Sequence, residues 1–131
     1  MRIEEDLKLD FKDVLIRPKR STLTSRFEVD ISREYSFRNS AGKYRGIPII
    51  AANMDTVGTI EMARALSAHR LSTALHKHYD ESALTAFFRE PPAESTVFCS
   101  LGITSADYEK FRRVRNEVGD AIAYVCIDVA N

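Results

Sequence analysis

Residues 47–58 read I-P-I-I-A-A-N-M-D-T-V-G, and this stretch decides the architecture. Ile47, Ile49, Ile50, Ala51 and Ala52 form an apolar run too short for a helix and suited to a buried strand. Asn53, Met54, Asp55 and Thr56 are polar or turn-prone, and a segment of helical period follows Gly58. Strand, loop and helix in that order are the first half of a βα unit. In parallel α/β architectures ligands bind at the carboxyl ends of the strands. The polar tail of this stretch is therefore a candidate mouth.

Outward from it towards the carboxyl end, the rhythm repeats. The spacing predicts a first strand over 47–52 and a helix from about Thr59 to His69, with Ile60, Ala63 and Leu66 on one face. A strand at about 72–76 and a helix capped by Asp80 come next, with Leu84, Phe87 and Phe88 as the apolar stripe. Pro91 and Pro92 end that helix. A strand at 96–100 leads through Gly102 to a helix capped by Ser105. There Tyr108, Phe111, Val114 and Val118 are expected inside, and Lys110, Arg112, Arg113 and Arg115 outside as a solvated face. A last strand, 122–127, ends in Asp128, Val129, Ala130 and Asn131. Strands joined by helical crossovers predict a parallel sheet.

In the other direction, residues 1–46 lack helical period. Residues 11–18 alternate weakly up to Pro18, as a short strand or an extended arm. Lys19, Arg20, Ser21, Thr22, Ser25 and Arg26 form a basic and hydroxyl cluster that reads as a solvated loop or as a phosphate contact. Phe27, Val29, Ile31, Tyr35 and Phe37 alternate with polar residues, which suggests a hairpin arm with one buried face and a turn near 39–42.

The 131 residues include 19 basic and 19 acidic side chains, 44% apolar and 29% charged. That neutral balance excludes nucleic-acid or membrane-surface binding that rests on bulk charge, while leaving a nucleotide open as ligand. No apolar run approaches the roughly 20 residues of a membrane helix, and the acidic start, residues 1–6, is not that of a signal peptide. Cys99 and Cys126 each sit in an apolar run and read as buried, inert thiols. A disulfide or a metal pair is the alternative, but neither has a His or Cys at ligand spacing.

In a parallel sheet the strand ends share one rim. Here they deliver Asn53 and Asp55, then Lys77 between His76 and His78, then Ser100 and Gly102, then Asp128 and Asn131. Each alone reads first as a salt bridge or a helix cap; a Lys and an Asp placed together at strand ends can orient a ligand or pass a proton. His76 and His78 point away from Lys77 in an extended segment and read as packing residues. There is neither a G-x-G-x-x-G turn nor a P-loop.

These residues resemble a known family. L-D-F-K-D-V-L-I-R-P-K-R-S-T-L (9–23), Ser25-Arg26, the 47–58 stretch, H-K-H-Y (76–79) and C-I-D-V-A-N (126–131) are similar, in order and spacing, to the amino-terminal part of GMP reductase. The sister family, IMP dehydrogenase, shares the M-D-T-V turn. It usually carries two CBS modules where this chain has only residues 91–95 between helix and strand. The resemblance implies an α/β (β/α)8 TIM barrel, with an arm over 1–46 and the first four strands and three helices over 47–131. It implies NADPH-dependent reductive deamination of GMP to IMP and ammonia in purine salvage, by a cytoplasmic homotetramer with no nucleic-acid or membrane partner. Lys77, Asp128, Val129 and Ala130 fall on positions that contact the cofactor, and Lys77 and Asp128 on ones that assist proton transfer to the departing ammonia. Ser25 and Arg26 fall where the family reaches the cofactor's adenosine end across a subunit boundary. Asn53 and Met54 fall on the turn against the purine.

The third strand end, S-L-G-I-T-S-A-D-Y, departs from the family's S-x-G-T-S-x-x-D-F, which weakens the cofactor contact expected there. The family's nucleophilic cysteine, its monovalent-cation (K+) loop, its phosphate loops and a catalytic glutamate are expected beyond Asn131, with no metal site in this chain. A whole barrel takes about 250 residues. The 131-residue chain is accordingly expected to be inactive alone. The alternatives are a non-catalytic half barrel pairing with a full-length subunit, an IMP dehydrogenase-like enzyme, and a self-contained flavodoxin-like module. Ser100, where such a module would carry an acceptor aspartate, argues against the last.

Overall fold

The computed structural model describes residues 6–92 and 96–129. Residues 1–5 and 93–95, and the site positions Ala130 and Asn131, lie outside them. The chain forms two compact units, Met1–Asp30 and Ile31–Asn131.

In the first unit, two single-turn 3-10 helices stand at Phe11–Asp13 and Arg26–Glu28. Asp10 caps the first, and its carboxylate accepts from the Phe11 N–H at 2.7 Å. Ser25 caps the second, its hydroxyl accepting from the Phe27 N–H at 3.2 Å. The expectation of one buried face across 27–37 fails: Phe27 is 101% exposed, and pairing starts only at Arg33. Residues 11–18 hold no strand, and Phe11, Leu15 and Ile16 face solvent.

In the second unit, strands β1 (Arg33–Ser36) and β2 (Lys43–Gly46) form an antiparallel hairpin. Its turn is fixed where Ser40 Oγ accepts from the Gly42 N–H at 2.8 Å. A parallel sheet follows, in the order β3 (Ile50–Ala51), β4 (Ser72–Ala74), β5 (Val97–Leu101) and β6 (Tyr124–Ile127). Helices α1 (Ile60–Ser67), α2 (Glu81–Arg89) and α3 (Ser105–Val118) lie between successive strands.

The helices form where caps and stripes agree. Asp80 caps α2 as expected, accepting from the Ala83 N–H, and Thr59, expected as the first helical residue, caps α1 by accepting from the Met62 N–H. For α3 the cap is Thr104, not Ser105. Its hydroxyl accepts from the Asp107 N–H while Asp107 reaches back to the Thr104 N–H, a reciprocal pair that Ser105 is one residue too late to make. Leu84, Phe87 and Phe88 of α2 pack with Leu75, Val97, Cys99, Val114 and Ile122 into the core, and Ile60, Phe111 and Val118 close its edges. Tyr108 departs from its expected inward place and is 57% exposed. Arg113 grips Glu81 through two nitrogens at 2.6–3.1 Å, tying α3 to α2.

Two contacts set the ends of the sheet. Tyr44, on the hairpin, is buried; its hydroxyl donates to the Ile47 carbonyl at 2.9 Å and shares a hydrogen bond with Ser72 Oγ at 3.0 Å. At the other end, Gly58 is buried against bare backbone. A Cβ there would stand 2.7 Å from the Ala52 carbonyl oxygen and 3.0 Å from Asn53 Cα, and would collide with the Ala74 carbonyl. Only hydrogen fits between β3 and β4 at that point. Gly58→Ala is expected to cost about 1–3 kcal/mol, the usual range for overpacking, read as a lower urea midpoint with the slope unchanged.

Candidate functional site

Parallel pairing places the carboxyl ends of β3, β4, β5 and β6 on one edge. Partners in register share a face of the sheet, and successive residues alternate. The loop after β3 carries Asn53 and Met54, and turns where the N–H groups of Val57 and Gly58 both donate to the Met54 carbonyl at 2.9 and 2.7 Å. Asn53 is half-buried and Met54 is 59% exposed.

The loop after β4 is anchored at three points. The His76 N–H donates to the Gly58 carbonyl at 2.8 Å. The His76 ring stacks on Tyr79 with centroids 4.0 Å apart. The Tyr79 hydroxyl accepts from the Ile60 N–H at 3.0 Å, an otherwise orphan donor of the first turn of α1. Between these anchors, Lys77 extends its ammonium to Asp128 Oδ2 at 3.1 Å. Asp128 is set in turn by its N–H, which donates to the Leu101 carbonyl at 2.8 Å. Lys77 and Asp128, 51 positions apart, thus meet across the end of β5. Their side chains are 37% and 29% exposed. A pair so open contributes only about 0–1 kcal/mol to stability, so fold maintenance alone gives little reason for it. Asn53 shares the rim with this pair. Val129 follows it and is 43% exposed. Ser25 and Arg26 belong to the first unit.

Ser100 is 6% exposed, and its hydroxyl has no hydrogen-bond partner among the described residues. Gly102 is buried against the Asp107 carboxylate at the entry to α3. Among the described residues, no group of three or more His, Cys, Asp or Glu is placed to hold a metal ion. None of the helices among them is long and apolar enough to cross a membrane.

The expectation of two buried thiols needs correction. Cys99 is 2% exposed, whereas Cys126 is only half-buried. The register pairs Cys99 with Val125 and Ser100 with Cys126, so the two thiols stand on opposite faces of the sheet.

Sequence reasoning missed Gly58, Tyr79 and Lys110. The first two are visible as letters of the V-G and H-K-H-Y runs, but nothing in a string shows a backbone collision or a hydroxyl meeting a helix end. By its letters Lys110 belongs to the solvated basic run of α3. It is instead partly buried and donates to the Lys77 carbonyl at 2.9 Å.

Two titrations follow. Burial, with the charge of His78 behind it, holds the His76 imidazole below its ordinary value of 6.5, and Asp55 opposes the shift. The unfolded chain therefore takes up this proton at a higher pH than the native chain does. Stability from neutral His76 is present above pH 6.5 and falls as the pH drops from there towards the native value. Melting temperature is expected to decline between pH 7.5 and pH 5.5 less steeply in His76→Phe than in the native chain. Burial also pushes the Cys99 thiol up to about 11. A maleimide at pH 8 is expected to label Cys126 in the native chain, and Cys99 only after urea is added, read by peptide mass.

No family model matches the chain. It is 52% identical over 133 aligned residues to "GMP reductase" of Escherichia coli O81 (strain ED1a), which covers 100% of this chain and 38% of that protein. The same figures hold for the protein of that name from strain K12 / DH10B. The chain thus spans about 38% of the length of the curated relatives it matches. Among solved structures, inosine 5′-monophosphate dehydrogenase from Legionella pneumophila superposes with a TM-score of 0.72 at 28% identity, over 92% of this chain and 35% of that one. Over its whole length, this chain is similar in sequence to the amino-terminal portion of GMP reductase, and in structure to an IMP dehydrogenase.

Proposed function

We propose that this chain is the cofactor-binding part of an enzyme that reductively deaminates GMP to IMP and ammonia with NADPH, in cytoplasmic purine salvage. The observation that carries the reading is the Lys77–Asp128 pair, open to solvent at the strand-end rim. The similarity to GMP reductases supports it. In this reading residues 1–46 are an arm and 47–131 supply the first four strands of a (β/α)8 barrel. The nucleophilic cysteine and the K+ site then lie in parts that this chain does not supply.

The donor set suits a nicotinamide. Its carboxamide offers one acceptor and one pair of donors, and the pair at the rim offers an ammonium and a carboxylate. Both are exposed enough to meet a ligand arriving from solvent. NADPH, when bound, supplies the hydride. Lys77 would hold it by donating to the carboxamide oxygen, and Asp128 by accepting from its amide. Val129 and Ala130 continue the same edge. With the ligand seated, Lys77 and Asp128 are the groups at hand to deliver a proton to the leaving amine. Asn53 and Met54 border the purine. Ser25 and Arg26 serve the adenosine end of the cofactor of a neighbouring subunit in a homotetramer.

Two other readings each rest on one observation. The superposition with the Legionella enzyme favours an IMP dehydrogenase-like activity. Among the described residues, β3 and β6 are the end strands of the sheet, which favours a non-catalytic half barrel that pairs with a full-length subunit.

The test is fluorescence titration of NADPH into the 131-residue chain. Saturable binding is expected, weakened about tenfold or more in Lys77→Met and in Asp128→Asn, as loss of a hydrogen bond to a charged group implies. Unchanged binding in both variants overturns the site. NADPH oxidation with GMP is expected to be absent from the isolated chain. Turnover there would show that the chain needs no further catalytic group, and NAD+ reduction with IMP would select the dehydrogenase reading.

A further inference from the structure

Lys77 pairs with Asp128 at 3.1 Å and lines one small pocket at the end of β5 together with Asp107 and Lys110. Its charge is also felt by Asp107, whose carboxyl is held below its ordinary range first by the Thr104 hydroxyl and, in smaller part, by Lys77 and Lys110. Asp107 is engaged: it accepts from Thr104 Oγ1 at 2.6 Å and from the Thr104 N–H at 3.3 Å. Lys110 reaches from α3 to the far end of β4, and its ammonium donates to the Lys77 backbone carbonyl. It is a long cation spent on a neutral carbonyl in a partly buried place, beside a carboxylate only three residues back along its own helix.

We propose that Lys110 is a positioning residue for Lys77: it holds the Lys77 carbonyl, sets a second positive charge beside Asp107, and so directs the Lys77 ammonium to Asp128. Two physical effects act together. Fixing the carbonyl fixes the backbone from which the Lys77 side chain departs. A cation already serving the Asp107 side makes that side less attractive to another. The rim then presents a matched donor and acceptor at one spot rather than a lysine shared between two acids. The inference rests on the reading above for its meaning in cofactor binding, but not for its geometry.

The test reads the Lys77 amine directly. The folded chain is acetylated with a limiting reagent at pH 7.5, and the rate at each lysine is read by peptide mass, in the native chain and in Lys110→Met and Lys110→Arg. Lys43 is the internal reference. It pairs with Glu34 on the hairpin, and its carbonyl accepts from the Tyr124 hydroxyl at the start of β6, at the opposite end of the sheet. Lys77 is expected to react severalfold more slowly in Lys110→Met, since an ammonium relieved of a neighbouring cation and shared between two carboxylates holds its proton more tightly. Lys43 is expected to stay unchanged, and Lys110→Arg to restore the native Lys77 rate. A Lys77 rate in the Met chain equal to or above the native rate overturns the proposal. So does a change that Lys43 shares, which would mark loss of the fold rather than of an aimed side chain, and so does a Lys77 rate in the Arg chain as low as in the Met chain. No nucleotide enters the assay, so failure of the enzyme reading leaves its outcome intact.

Discussion

The constraint on which the structure depends is the parallel ladder from β3 to β6. Each strand must return to the same end before pairing with the last, so a helix has to occupy every crossover. That single rule produces both layers. It puts Leu84, Phe87, Phe88 and Val114 over one face of the sheet, and it delivers every strand's polar tail to one edge. The rim exists because the strands run one way, and the lysine and aspartate meet because two of those strands flank β5.

Charge has been distributed with the same economy. Arg113 ties α3 to α2 through Glu81, and Arg115 donates to the Ile122 carbonyl at 3.0 Å and to Asp120 at 2.7 Å. These contacts orient helices that the core already holds. The pair at the rim instead joins the loop after β4 to the end of β6 across β5.

Much of the second unit could be read from the letters, because each βα unit carries its own punctuation. Thr59, Asp80 and the prolines at 91 and 92 bound their helices where expected, and the stripe at 84, 87 and 88 is the centre of the core. What failed were features settled by partners remote in sequence. The strand foreseen over 47–52 shrinks to Ile50–Ala51, because Pro48 has no N–H to give and the Ile49 N–H turns back to the Ile47 carbonyl at 2.7 Å. The strand foreseen over 122–127 starts at Tyr124, although Ile122 is buried, since the chain enters it from the 3-10 turn Gly119–Ala121. The alternation at 27–37 is that of a strand with one buried face, but Phe27 is fully exposed and pairing begins only at Arg33. The rim was legible as a place, since strand polarity alone predicts it. The division of labour between Lys77 and Lys110 was not, because two lysines in a string look alike and only the fold distinguishes an amine held at a carboxylate from one held at a carbonyl.

The buried Tyr44 hydroxyl has a consequence for strand pairing. A hairpin can slide by one residue at small cost when both of its faces are alike. This one cannot, since a slip would swing Tyr44 outward and strand the Ser72 hydroxyl and the Ile47 carbonyl together. The parallel sheet thereby proofreads the strand that carries Tyr44: one phenolic oxygen rejects a one-residue slip of β2.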